Sequence, residues 1–179
     1  MLKKILFFLI ISVFIFSCSK KEILNPIPES QDKAFEVYNA AYAAMEAGDM
    51  LFASKKFGEA ELILPTVELS AKASIMSSYC LYVIRFYDSA LMNLEVFLKK
   101  YPGSSYAAYA EYLIIISYYE QILDEKKDRE PLLLAKSKIE NFLNKFPDSE
   151  YSLDLKFKID LINNQLAAKE MYVAKYYFK

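Results

Sequence analysis

Residues 94–106 return almost unchanged as residues 139–151, and a chain that repeats itself at such an interval is confined to stacked, self-similar units. Glu95, Phe97, Leu98, Lys100, Pro102, Ser104 and Tyr106 recur as Glu140, Phe142, Leu143, Lys145, Pro147, Ser149 and Tyr151. Upstream, Ala90 and Leu94 keep the same offsets as Ala135 and Ile139. A small residue, then large apolar residues at helical spacing, then a proline describes a helix that crosses a neighbour closely and stops. Such a unit cannot bury its apolar face alone. Neighbouring units must stack, and the stack leaves a concave groove of the kind that binds peptides and proteins and rarely catalyses.

The pattern resembles the second helix of a tetratricopeptide repeat, so the expected fold class is all-α: a tetratricopeptide-repeat α-solenoid of antiparallel helix pairs. Composition points the same way. With 55% hydrophobic residues and only Gly48, Gly58 and Gly103 among 179 residues, the chain is short of the turn residues that hairpins need. A formal charge of −1 disfavours nucleic acid, which requires a clustered basic face. The sequence contains no histidine, which removes His-based triads, His-ligated metal sites and the commonest general base. No catalytic residue, metal or cofactor is expected.

The N-terminus reads as an address. Lys3 and Lys4 precede an apolar run from residue 5 to 16 relieved only by Ser12, the pattern of a signal peptide over residues 1–17. It ends in Ile15, Phe16, Ser17 and Cys18, which resembles a bacterial lipobox with Cys18 as the lipidated residue. A plain signal peptide with a chance cysteine is the alternative. Ser19 stands where an aspartate would signal inner-membrane retention, so the resemblance implies the outer membrane of a Gram-negative bacterium, on its periplasmic face. Residues 18–31, with Pro26 and Pro28, are expected to form a lipidated tether. Cys80 would then be the one remaining thiol. It lies in an apolar stretch with no basic neighbour to lower its pKa, which favours an inert core cysteine over a redox or nucleophilic one.

Residues 32–179 are expected to hold about three repeats and an incomplete fourth. Spacing places a first helix over 32–54, through Ala34, Val37, Tyr38, Ala41, Met45, Gly48 and Phe52. Its partner begins near Phe57, with Ala60, Leu64 and Val67 at the offsets of Ala90, Leu94 and Phe97, and should stop or kink at Pro65. On that alignment Ala60 to Ala90 is about one helical turn shorter than a standard repeat. Helices follow over 71–86, 88–101, 106–123 and 131–146, with a charged insertion at 124–130 and with Ser104 and Ser149 placed to cap. A last helix starts at Tyr151. Tyr172, Val173, Tyr176, Tyr177 and Phe178 would leave its end apolar, whereas solenoids end in polar caps, so the chain is expected to be a fragment of a longer protein.

Paired carboxylates such as Glu46 with Asp49, or Glu59 with Glu61 and Glu68, suit a solvated helix face far better than acid–base chemistry. Lys99 and Lys100 suit the end of a helix. If the first helix of each pair lines the groove, the candidate peptide-binding residues are Met45, Asp49, Phe52, Tyr79, Tyr82, Tyr106 and Tyr109. Tyrosine anchors extended peptides well, although each of these suits packing between helices equally.

Two further segments carry a resemblance. Asp128, Arg129, Glu130, Pro131 and Ala135 resemble the aspartate-arginine-acid-proline insertion of the BamD family of outer-membrane assembly lipoproteins. From Phe146 onwards, Pro147, Asp148, Ser149 and Tyr151, then Leu166, Ala167, Lys169, Glu170, Tyr172, Val173, Ala174, Tyr176 and Tyr177 are similar to that family too. The resemblance implies a non-enzymatic lipoprotein subunit of the machinery that folds β-barrels into the outer membrane. It implies N-terminal repeats that receive the C-terminal strand signal of unfolded outer-membrane proteins. It also implies C-terminal repeats that dock on the POTRA-bearing barrel subunit and on accessory lipoproteins, although this chain stops before those repeats are complete. Two rivals stand beside it. A periplasmic tetratricopeptide scaffold of the Tol, cell-division or cell-wall type usually lacks the lipobox and the insertion. An enzyme would need desolvated carboxylate pairs.

Overall fold

In a computed structural model, residues 29–121 and 130–178 are described. Cys18, nearly all of the tether, and most of the charged insertion, with Asp128 and Arg129, lie outside the described residues. Among the described residues all regular structure is helical: α1 (Glu29–Glu46), α2 (Met50–Ile63), α3 (Val67–Val83), α4 (Tyr87–Lys100), α5 (Ala107–Glu120), α6 (Glu130–Lys145) and α7 (Ser152–Tyr177). No described helix is long and apolar enough to cross a membrane. Each helix packs on its neighbours in sequence, and α3 also reaches α5.

The core is divided to match. Ala34, Ala41, Ala53, Phe57, Ala60 and Cys80 join α1, α2 and α3. Ile75, Leu91, Leu94, Phe97, Ala110 and Leu113 join α3, α4 and α5. Ile115, Leu132, Ile139, Phe142, Leu155 and Ile162 join α5, α6 and α7. In every case the middle helix supplies small and large residues at spacings of three and four. Ala90, Leu94 and Phe97 on α4, like Ala135, Ile139 and Phe142 on α6, have no exposed surface. Burial of each large side chain contributes about 1.5–3 kcal/mol, which ordering the helix then offsets in large part.

The duplicated segments fold into duplicated geometry. The Phe97 and Tyr101 rings lie 5.4 Å apart, and those of Phe142 and Phe146 lie 5.1 Å apart, both pairs tilted by 50°. Lys100 sits 5.2 Å from the Tyr101 ring and Lys145 sits 5.0 Å from that of Phe146. Ser104 and Ser149 do not cap the helices that follow. Each accepts a hydrogen bond on Oγ from the backbone two residues on, at 3.2 Å from Tyr106 N and 3.3 Å from Tyr151 N, which closes the turn leading into α5 or α7.

The first repeat departs from expectation. Helix α1 ends at Glu46 instead of running to residue 54, because Gly48 takes a left-handed backbone (φ +85°) and Asp49 caps α2 by accepting from Phe52 N at 3.1 Å. The buried apolar series of α2 is therefore Ala53, Phe57 and Ala60, continued by Leu64 just past its end, two turns upstream of the expected Ala60, Leu64 and Val67. Val67 is 74% exposed and opens α3. With this register the first repeat is no longer short. Helix α2 stops at Ile63, and Leu64 is extended (ψ 142°) ahead of Pro65, as the residue before a proline should be. Thr66 then caps α3 by accepting from Leu69 N at 3.3 Å. Helix α1 begins at Glu29, so residues 29–31, expected in the tether, are helical.

Candidate functional site

The first helices of successive pairs, α3, α5 and α7, carry a row of tyrosines. Tyr79 and Tyr82 lie on α3, Tyr109 and Tyr112 on α5, and Tyr151 immediately precedes α7. The Tyr112 ring stacks on Tyr151 at 4.7 Å, and Tyr109 lies 5.5 Å from Tyr151 and 6.4 Å from Tyr112. Helix α5 can present these rings because Tyr109 and Tyr112 are one turn apart, while Leu113 and Ile116 fill the second core. The Tyr112 hydroxyl donates to Asp154 Oδ2 at 2.9 Å, and Lys158 Nζ stands 3.7 Å from Asp154 Oδ1.

Partial burial holds Tyr82, Tyr109, Tyr112 and Tyr151 above the ordinary tyrosine value. It raises the pKa of Tyr109, with smaller contributions from Tyr79, Tyr151 and Tyr82, so phenols on all three elements sense one another. Burial and the bond to Asp154 raise Tyr112. Tyr151 is pushed up to about 12 by burial and by a hydrogen bond with Glu150. Tyr82 is raised by burial, then by Glu120, Tyr87, Tyr79 and Asp154. The surface is thus aromatic, carries neutral hydroxyl tips and has carboxylates at its margin. It can hold polypeptide through ring faces and hydrogen bonds.

One end of the row opens into a cleft of about 750 Å³ between the start of α5 and the α6–α7 turn, walled by Tyr106, Tyr109, Phe146, Pro147 and Tyr151. A second cleft of about 500 Å³ occupies the equivalent place one repeat earlier, between the start of α3 and the α4–α5 turn. It is walled by Val67, Ala71, Tyr101 and Pro102.

The expected groove residues divide into two sets. Tyr79, Tyr82, Tyr106 and Tyr109 are partly buried against the second core, and Tyr109 belongs to both the row and the larger cleft. Met45 is partly buried on α1 against the first core, Asp49 lies in the α1–α2 turn, and Phe52 is on the second helix of its pair. Phe52 is 45% exposed, with the Lys56 ammonium 5.6 Å from its ring. The three are split between two helices and a turn because the helix expected to unite them breaks at Gly48. Sequence spacing missed Tyr112, Tyr151 and Asp154. Their signals are the one-turn step from Tyr109 and the match of Tyr151 to Tyr106 in the repeat.

Three of the carboxylates set aside as catalytic have structural partners, Asp49 being the cap of α2. Glu61 accepts from Lys100 at 2.7 Å and from the Tyr101 hydroxyl at 2.9 Å, and Glu59 pairs with Lys56. Among the described residues no group of three or more His, Cys, Asp or Glu is arranged to hold a metal ion.

Comparison with known proteins agrees with this architecture. The family model YfiO, outer membrane lipoprotein, matches residues 30–179. The chain is 31% identical over 171 residues to the outer membrane protein assembly factor BamD of Rickettsia prowazekii, covering 96% of this chain and 67% of that protein. It is 33% identical over 143 residues to BamD of Caulobacter vibrioides, covering 80% of this chain and 47% of that protein. BamD of Neisseria meningitidis is 24% identical over 190 residues, covering 99% of this chain and 71% of its own. The chain thus spans about two thirds of the first relative and about half of the second. With a family match over nearly all of the described residues, the chain belongs to the YfiO family of outer membrane lipoproteins, in which it stands beside the BamD assembly factors.

Proposed function

We propose that this chain is a non-enzymatic tetratricopeptide subunit of the machinery that assembles β-barrels in the outer membrane. It is held on the periplasmic face by a lipid on Cys18. The family assignment supports the assembly role. The tyrosine row on α3, α5 and α7 is the observation that carries the mechanism, because it offers an unfolded barrel protein ring faces and hydroxyl tips in register with the repeats. Tyr79, Tyr82, Tyr106 and Tyr109 are the anchors, with Tyr112 and Tyr151 extending the row. Met45, Asp49 and Phe52 fall at the first repeat and extend the contact towards the N-terminus. Affinity is modest, because an unfolded client must be ordered as it binds. The second contact is with the POTRA-bearing barrel subunit and accessory lipoproteins, through the repeats towards the C-terminus.

The test is affinity purification of the full-length lipoprotein from gently solubilised outer membranes, with Cys18→Ala as control. Recovery of a POTRA-bearing barrel protein, lost from the membrane fraction in the control, is expected. Recovery of Tol-system or cell-wall proteins alone would replace this reading with a general periplasmic scaffold.

A further inference from the structure

The two junction clefts are built on one frame and differ in charge. In the smaller, Tyr101, Pro102, Gly103, Ser104 and Ser105 form the turn. In the larger, their counterparts are Phe146, Pro147, Asp148, Ser149 and Glu150. The aromatic residue, the proline and the first serine keep their places and set the shape. Gly103 and Ser105 are replaced by Asp148 and Glu150, both exposed, and none of the residues lining the larger cleft is basic. The smaller cleft by contrast holds one charge of each sign, Glu68 and Lys100.

Aromatic walls with two carboxylates at the mouth are complementary to one kind of side chain. The face of a tyrosine attracts a cation, and a carboxylate completes its hydrogen bonds. The chain itself repeats the first of these contacts nearby, where Lys145 stands 5.0 Å from the centre of the Phe146 ring and pairs with Glu111. We propose that the cleft between the start of α5 and the α6–α7 turn seats a cationic side chain of an extended client segment, arginine in preference to lysine. The guanidinium lies against Tyr106, Tyr109 or Tyr151 and bonds Asp148 and Glu150, while neighbouring apolar residues of the client lie along the tyrosine row. Arginine is preferred because its planar fork both stacks on a ring and bonds a carboxylate in two places. This inference rests on the row being the client groove, and it adds which residue the groove selects.

The probe is a short fluorescein-labelled peptide alternating phenylalanine with polar residues, carrying arginine, glutamine or glutamate at its centre, titrated with the full-length lipoprotein in detergent. The arginine peptide should bind about tenfold more tightly than the glutamate peptide, and the difference should shrink with added salt. Asp148→Asn with Glu150→Gln should bring the arginine and glutamate peptides within about twofold of each other. Both side chains are exposed, so circular dichroism of that variant should match the parent. Equal binding of all three peptides to the parent protein, or undiminished arginine preference in the variant, would overturn the charge selection and leave the groove standing. Failure of the glutamine and arginine peptides alike to bind would overturn the groove, and the selection with it.

Discussion

Gly48 and Arg85 hold the same position in two copies of one turn. Each is the left-handed residue that ends the first helix of a pair, with φ +85° and +62°. The backbone bonds match. Gly48 N donates to Met45 O at 3.1 Å and Asp49 N to Ala44 O at 2.9 Å, and Arg85 N donates to Tyr82 O and Phe86 N to Leu81 O, both at 2.9 Å. This is the double-bonded helix stop that glycine normally closes. The interval between Gly48 and Arg85 also separates Ala53 from Ala90 and Phe57 from Leu94, so the turn fixes the register of the first two repeats.

A left-handed backbone costs a residue with a side chain about 1–2 kcal/mol, a strain that glycine escapes. Arg85→Gly should therefore stabilise the fold by up to about 1 kcal/mol, and Gly48→Ala should destabilise it by about 1 kcal/mol. A Cβ at Gly48 would meet nothing within 4 Å, so the second effect is backbone strain alone. Urea unfolding of both variants checks this. Two shifts of the same sign would show that the matched turns do not share one conformational constraint.

The buried series of the middle helices should dominate stability. Phe97 and Phe142 are fully buried at equivalent places in the second and third cores. Phe97→Ala and Phe142→Ala should each cost about 3–5 kcal/mol through lost burial and the cavity left behind. Since each core is shared by only three helices, each loss should be felt mainly in its own segment. Hydrogen exchange should thus show α3, α4 and α5 loosened in the first variant and α5, α6 and α7 in the second. Uniform loosening in both would mean that the cores unfold as one.

The sequence makes the second and third repeats legible because their second helices are near copies, and a copied pattern needs no knowledge of the partner surface. The first repeat is misread for a physical reason. Ala60, Leu64 and Val67 mimic the small-large-large spacing, yet the true series starts at Ala53, and the decisive signal is Gly48 followed by the capping Asp49. The tyrosine row is half legible. Helix α5 is apolar on several sides, with Ile114, Ile115 and Ile116 all buried, so its periodicity does not say which side faces the groove. Repeat geometry names Tyr109, and only the contacts around α5 add Tyr112 beside it.

The tyrosine row should make the protein sensitive to alkali. Tyrosine has an unperturbed value of 10.0, and Tyr151 is raised to about 12. Tyr109 and Tyr112 are raised as well. Below pH 10 the phenols are neutral in both folded and unfolded chains, and their contribution is fully present. Above it the unfolded chain ionises first, so stability is lost as pH rises through the folded values. Tyrosinate absorbance followed with circular dichroism should show part of the phenols titrating late and together with loss of helix above about pH 11. Titration of every phenol near pH 10 with helicity intact would remove the row from the stabilised core.

Cys80 is fully buried in the first core among Ala41, Ala53, Phe57 and Ala73, and burial pushes its thiol up to about 11. At neutral pH it is a protonated, inaccessible thiol, which is a packing residue and a poor nucleophile. The folded protein should stay unlabelled by a thiol-specific disulfide reagent at pH 8 and react fully once urea is added. Replacement should separate size from polarity. Cys80→Ala leaves a small cavity and should cost about 1 kcal/mol, while Cys80→Ser fills most of the space but buries a hydroxyl among apolar side chains, adding about 1–3 kcal/mol unless it bonds a backbone carbonyl. Rapid labelling of the folded protein, or a serine variant as stable as the parent, would place Cys80 in a polar and accessible setting and reopen a redox role.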